Sequence, residues 1–303
     1  MISRYEFEIL SYLEREGQIS RSIRSLADTL CLSGGTVLSV LDALEARELI
    51  RRTDQNLSIT SYGLDALEPY RVKRAIIVAA GFGSRMMPAT ADKPKPMVTV
   101  NGVRIIDTLL DALVKVGITD IVVVGGYQFE KLKELLQKYP FIRLLNNTHY
   151  ESENNISSAI IALDYMRDGC YFCEADLYIS NPEVILKYQY SSNILGAYSM
   201  ETDDWSFKMQ DGCVSEYKKG NTFCYNYYGI SYWTPEDCKK LCADWAEVYS
   251  APEGKDLFWE FVPFINKRSN YRVEIRPCRK QDIIEIDNYY ELAQLDPMYR
   301  DAR

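Results

Sequence analysis

Residues Arg74-Ala-Ile-Ile-Val-Ala-Ala80-Gly81-Phe-Gly83-Ser84-Arg85-Met86 decide the fold. The first seven are apolar or β-branched after Arg74, with no alternation, which predicts a strand buried on both faces. The next residues are a glycine-containing turn that opens on Ser84 and Arg85. Two glycines let backbone N–H groups turn toward an anion, and Arg85 adds a fixed cation. No Gly-Lys-Ser/Thr follows, so the turn is not a P-loop, and Met86 stands where a dinucleotide fingerprint needs its third glycine. Downstream the same alternation recurs. Strands are predicted at Asp120–Gly125, Ile142–Leu145 and Gly169–Cys173, with helices at Ile105–Val116, Phe129–Lys138 and Ile156–Met166. Apolar strands separated by helices give a mostly parallel sheet covered on both faces, an α/β architecture. Ligands of such sheets sit at the carboxyl ends of the strands, so the loops after Ala80, Gly125, Leu145 and Cys173 are the place to look.

Before Lys73 the chain has no lysine, and up to Tyr70 it carries 7 Arg against 11 Asp and Glu. Pro69 and Arg71-Val-Lys-Arg74 mark a junction, giving segments 1–70 and 73–303. Helical spacing runs from Tyr5 to Arg15. Ser20 is placed to cap a helix through Leu30, and Ser33 one from Gly35 to Glu48. Two short strands follow, Leu49–Arg52 and Leu57–Thr60, around a turn at Asp54-Gln-Asn56. This α+β order resembles a winged helix-turn-helix domain of the multiple-antibiotic-resistance-regulator type. The helix from Ser33 to Ala46 has no Lys or Arg, and Thr36, Ser39, Asp42 and Glu45 point outward. Phosphate neutralisation supplies most non-specific DNA affinity, so dimerisation or a ligand-sensing dock is favoured over DNA binding, and a homodimer is allowed.

The turn at Gly81 continues into Met86-Met-Pro88-Ala-Thr90 and Pro94-Lys95-Pro-Met97. This resembles the signature of nucleotidyltransferases that activate sugar phosphates and alcohol phosphates. From Lys73 onward the chain is similar to bacterial CTP:phosphocholine cytidylyltransferases, through Gly126-Tyr127, Asn147–Tyr150, Asn154–Ser158, Glu174-Ala-Asp176, Asp204-Trp205, Tyr228–Trp233, Asp256–Glu260 and Ile284–Asp287. The resemblance implies a Rossmann-like nucleotidyltransferase fold, akin to the GT-A type. It implies transfer of CMP from CTP to phosphocholine, with 2-aminoethylphosphonate or phosphoethanolamine as the nearest alternative acceptors. A ligand-sensing transcription regulator is the rival from another class.

The resemblance also implies roles. Ala79, Ala80, Gly81, Gly83, Ser84 and Arg85 hold the nucleotide, and Lys95 neutralises charge near the reacting phosphates. Asp176 and Asp287 bind Mg²⁺, which takes oxygen ligands and few carboxylates. Arg85, Lys95 and Asp176 form the catalytic set. Gly126, Tyr127, Asn154, Asn155 and Ser158 are candidates to read the cytosine edge, with helix capping as the alternative for the Asn pair and for Asp287. Trp205, Phe258, Glu260 and Glu285 map to the choline pocket, with Tyr228 and Trp259 beside them. A trimethylammonium is recognised by ring faces and nearby carboxylates.

Composition bounds the rest. The 303 residues are 47% hydrophobic and 26% charged, which excludes wholesale disorder. The net charge of −8 argues against a surface made for nucleic acid. A single histidine, His149, argues against zinc sites built on histidines and against a Ser-His-Asp triad; it is expected to order its own loop. The eight cysteines are scattered, so reduced thiols in a cytoplasmic protein are expected, with no secretory signal and no membrane span. Cys170 and Cys173 lack a partner pair for zinc, and Cys238 and Cys242 read as packing residues.

Overall fold

The computed structural model describes residues 1–17, 23–53 and 56–300. The expected cap at Ser20 and the turn residues Asp54 and Gln55 lie outside them. The chain forms two compact units. One is Met1–Arg71 with Tyr188–Tyr190, and the other is Val72–Lys187 with Ser191–Arg303.

In the first unit helices span Arg4–Glu16, Ile23–Leu30 and Gly34–Ala46, followed by antiparallel strands Ile50–Arg52 and Leu57–Ile59. The first helix starts in a capping box: Ser3 Oγ accepts from the Glu6 N–H, and Glu6 Oε2 accepts from the Ser3 N–H at 2.6 Å. Ser33 caps the third helix as the sequence predicts. A further helix, Ser61–Leu67, was not expected; Thr60 caps it through the Gly63 N–H. Tyr188–Tyr190, which the sequence boundary leaves in the second segment, joins this unit. Tyr190 stacks on Tyr70 at 5.4 Å and packs on Phe7.

The second unit is built on a seven-stranded sheet. We number its strands β1 (Arg74–Ala79), β2 (Asp120–Gly125), β3 (Arg143–Asn146), β4 (Cys170–Glu174), β5 (Asn193–Gln210), β6 (Cys213–Trp233) and β7 (Glu274–Cys278). The spatial order is β5-β7-β6-β4-β1-β2-β3. The half carrying β4, β1, β2 and β3 is parallel, as predicted, while β6 runs antiparallel to β4. Alternate residues serve two cores. Ala75, Ile77 and Val123 pack on one face, and Ile76, Val122 and Val124 on the other. That division is why the strands read as unbroken apolar runs. The expected helix Phe129–Lys138 is two short ones, Phe129–Leu132 and Leu135–Lys138. The helix expected to run to Met166 stops at Ile161 and ends in a 3₁₀ turn. Among the described residues no single helix is long and apolar enough to cross a membrane.

Two features set the site. Parallel register places Val78 opposite Glu174 and Gly125 opposite Asn146, so the carboxyl ends of β1 to β4 align. A small antiparallel pair, Leu177–Ile179 with Ile283–Glu285, lays a distant segment beside the end of β4.

Candidate active site

A cleft of about 570 Å³ opens at those carboxyl ends. Its floor is the turn after β1. Gly83 adopts a left-handed φ of 62°, and a Cβ there would stand 2.9 Å from the Lys95 Cβ. Only glycine fits both requirements. Thr90 Oγ1 donates to the Gly83 carbonyl at 2.9 Å and braces the turn. An anion lying over such a turn meets backbone N–H groups. Ala79, Ala80, Gly81, Gly83, Ser84 and Arg85 all line the cleft. Gly126 and Tyr127 do not. The Tyr127 N–H donates to the Ala80 carbonyl and its hydroxyl to the Thr90 carbonyl, so this pair buttresses the turn from behind.

Pairing of Leu177 with Glu285 brings Asp176 and Asp287 together, 111 positions apart in sequence. Carboxylate oxygens of Asp176, Glu285 and Asp287 lie within 4.8 Å of one another. Lys95 is inserted among them, 2.9 Å from Asp176 and 3.2 Å from Asp287, and Arg85 grips Asp287 at 3.1 Å. Burial pulls the Lys95 pKa down, but Asp176 and then Asp287 outweigh it and the net shift is upward. Glu285 is pushed well above the carboxylate range, first by burial and then by Asp176 and Asp287. Asp176 Oδ1 is buried without a hydrogen-bond partner. Hard oxygen donors in surplus, with one of them unpartnered, fit a divalent cation. Glu285, expected in the choline pocket, thus stands with the two aspartates. Asp287 is not a helix cap: Asn288 fills that position, accepting from the Glu291 N–H.

Asn154, Asn155 and Ser158 line the cleft; Asn155 stands at the N-cap position of the helix Ile156–Ile161 without a side-chain cap bond, and Asn154 Oδ1 accepts from the Asn155 N–H. Asn154 donates to the Asp256 carbonyl at 3.1 Å, and Asn155 accepts from the Trp259 N–H at 2.8 Å. They moor the loop 254–261 to the start of the helix Ile156–Ile161. Ser158 Oγ accepts from Asn147. The His149 carbonyl accepts from the N–H groups of Ser152 and Glu153, and its imidazole lies 3.7 Å from the Glu153 carboxylate.

The other end of the cleft is a ring-lined wall made by the β5–β6 hairpin and the segment 254–261. Trp205 stacks on Tyr217 at 4.9 Å and meets Phe261 at 5.1 Å, and Phe258 lies against Phe261. Trp205, Phe258 and Glu260 line the cleft as expected. Tyr228 does not: it is buried in the core on the opposite face of the sheet. Trp259 is fully buried behind the wall, its indole N–H donating to Glu174 at 3.3 Å. Glu260 is 4% exposed. Its Oε1 accepts from Tyr217 at 3.5 Å, while Oε2 makes no hydrogen bond of good geometry. Burial pushes its pKa up to about 7, against the opposing pull of its own backbone N–H, Asn155 and Tyr217.

Sequence reasoning missed Glu174, Tyr227, Asp204 and Lys219 as lining residues. Glu174 stands in the sequence as the last residue of an apolar strand, where ligands of a parallel sheet bind, and that signal points to it. Seven carboxylates line the cleft against three cations, and two of those three are already paired with acids. Such a cleft calls for cationic ligands.

Residues 74–197 match the Nucleotidyl transferase family and residues 2–56 the MarR family. The chain is 38% identical to a 2-aminoethylphosphonate cytidylyltransferase of Lancefieldella rimae, over 74% of this chain and 92% of that one. It is 29% identical to a choline-phosphate cytidylyltransferase of Haemophilus influenzae, over 73% and 96% respectively. The solved structure of a CTP:phosphocholine cytidylyltransferase from Streptococcus pneumoniae superposes with a TM-score of 0.70 at 27% identity, covering 76% of this chain and all of that one.

Proposed function

We propose, for a chain that belongs to the cytidylyltransferases of the nucleotidyl transferase family and carries a MarR-type winged helix, transfer of CMP from CTP to a small zwitterion bearing a phosphonate or phosphate and a primary ammonium. 2-Aminoethylphosphonate and phosphoethanolamine are two members of that class. The observation that carries the choice of acceptor is the unpartnered Oε2 of Glu260, buried at the ring end of the cleft. An ammonium N–H satisfies it, whereas a trimethylammonium has no N–H to give. The ring faces of Trp205 and Phe258, which line the cleft, favour phosphocholine as the second reading.

In the proposed reaction an acceptor oxygen attacks the α-phosphorus of CTP in line with the departing pyrophosphate. The nucleophile is already ionised near neutral pH, so a site without a histidine base suffices. What remains is to align two anions and to stabilise charge at the α-phosphate and the leaving group. The turn at Gly81–Arg85 cradles the triphosphate. Lys95, buried and charged, faces the reacting phosphates. Asp176 and Asp287, with Glu285 beside them, would hold Mg²⁺, which when bound neutralises triphosphate charge. Asn154 and Asn155 fix the loop that presents Glu260 to the acceptor.

For the winged helix the proposal is an assembly or ligand-docking role rather than DNA binding. Arg47 is paired with Glu6, and Arg52 with Asp42 and Glu45, so acids partly neutralise the arginines that follow the third helix, and that helix carries no Lys or Arg of its own. The catalytic reading is tested by pyrophosphate release across four nucleoside triphosphates and three acceptors: 2-aminoethylphosphonate, phosphoethanolamine and phosphocholine. CTP with the amino acceptors is expected to lead. Preference for another nucleotide, or release equal without acceptor, would overturn it.

A further inference from the structure

Beside Glu260 stands a second carboxylate that the transfer chemistry leaves unused. Glu174 ends β4 and lines the cleft. Its Oε1 accepts from Tyr227 Oη at 3.2 Å and from Trp259 Nε1 at 3.3 Å. Among the described residues neither Lys nor Arg forms an ion pair with Glu174 or Glu260. Glu174 and Glu260 are each held by a tyrosine of β6, Tyr227 and Tyr217, whose rings are 5.6 Å apart. The indole that holds Glu174 belongs to the residue next to Glu260.

The chain makes room for this arrangement. A Cβ at Gly229 would stand 2.6 Å from Cγ, Cδ and Oε2 of Glu174. Gly229 does not have the left-handed backbone that would by itself call for glycine. Space for the Glu174 carboxyl group is what position 229 supplies. Two buried carboxyl groups with no ion pair of their own are costly as anions unless they take up a proton or a positive group comes to them.

We propose that Glu174 is a specificity-determining residue: with Glu260 it forms a two-carboxylate seat that counts the N–H donors of the acceptor's ammonium. A primary ammonium has three donors, enough for Glu260 Oε2 and Glu174 Oε2 together. Each N-methyl group removes one donor and adds bulk, so the seat discriminates progressively against methylated amines. The inference rests on the reading that an ammonium-bearing acceptor occupies the ring end. It adds the residue that sets the choice and the glycine that seats it.

The experiment measures kcat/KM for 2-aminoethylphosphonate and its N-methyl, N,N-dimethyl and N,N,N-trimethyl derivatives, with the full-length enzyme, saturating CTP and Mg²⁺. The wild type is expected to lose at least tenfold from the primary to the quaternary acceptor. Glu174→Gln should lower that ratio at least tenfold, mainly through KM for the primary amine, with KM for CTP within twofold of wild type. Gly229→Ala, which crowds Glu174 without altering its charge, should move the ratio the same way and gives a second route should Glu174→Gln fold poorly. A folded Glu174→Gln enzyme that binds CTP and keeps the wild-type ratio overturns this inference alone. A wild type that turns over none of the four acceptors removes the acceptor reading and this inference with it.

Discussion

Replacing Glu260 by Gln keeps the shape of the side chain and removes its charge, and the two consequences have opposite signs. The free enzyme holds the Glu260 pKa at about 7, against an ordinary value of 4.5, chiefly because burial disfavours the carboxylate. At 1.36 kcal/mol per unit, carrying that charge above pH 7 costs on the order of 3 kcal/mol. Between pH 4.5 and 7 the folded state binds more protons at this site than the unfolded state does, so this contribution to stability falls as pH rises through that window. Glu260→Gln should therefore be more stable than wild type at pH 8, by a few degrees in Tm, with the advantage gone at pH 5. Acceptor binding moves the other way. A hydrogen bond to a charged group contributes roughly 1.5–3 kcal/mol, so KM for 2-aminoethylphosphonate should rise roughly 10- to 100-fold at pH 8. Thermal unfolding and initial-rate profiles from pH 5 to 9 check both. Ionisation of the acceptor itself affects the two proteins alike, so the difference between their profiles isolates Glu260, and it should grow with pH through about 7. Superimposable profiles, or an unchanged KM, would refute the reasoning.

Asp176→Ala should abolish pyrophosphate release and weaken Mn²⁺ binding by calorimetry, and near-normal turnover would remove the metal role. Lys95→Met leaves Asp176 without a cation and Asp287 with Arg85 alone. Breaking one side of such a partly buried pair costs about 3–5 kcal/mol, so Tm should fall sharply and Mg²⁺ should restore more of it than it adds to wild type. Ser3→Ala removes one arm of the capping box and should cost the winged unit about 1 kcal/mol, read by chemical denaturation. Fluorescence anisotropy with duplex DNA should show only weak, salt-sensitive binding, and nanomolar affinity at 150 mM salt would contradict the charge pairing seen at Arg47 and Arg52.

Local signals carried much of this molecule. The unbroken apolar run at Arg74–Ala80 named a parallel strand because both of its faces are buried, and the glycine turn after it named the mouth of the site. What was not legible depended on parity and on distant register. Adjacent strand residues face opposite ways, and a tyrosine-rich strand gives no sign of which parity looks into the cleft. Tyr227 does, whereas Tyr228 enters the far core. The same ambiguity put Trp259 forward although Phe258 and Glu260 are the residues that open on the cleft. Glu285 was legible as an acid in an apolar segment, but only its pairing with Leu177 sets it beside Asp176. The Asn pair carried a capping pattern, yet a loop a hundred residues away claims its side chains. The helix Ser61–Leu67 is short and contains Gly63, which masks its periodicity.

The central claim is spatial: triphosphate and cation at the glycine turn, acceptor ammonium at the ring wall. A crystal structure with CTP, Mn²⁺ and 2-aminoethylphosphonate tests it most directly. The account predicts anomalous density between Asp176 and Asp287, the α-phosphate beside Lys95, and the amine nitrogen within hydrogen-bond distance of Glu260. Manganese coordinated by Glu174 and Glu260 instead, or a nucleotide lying along the ring wall, would contradict it.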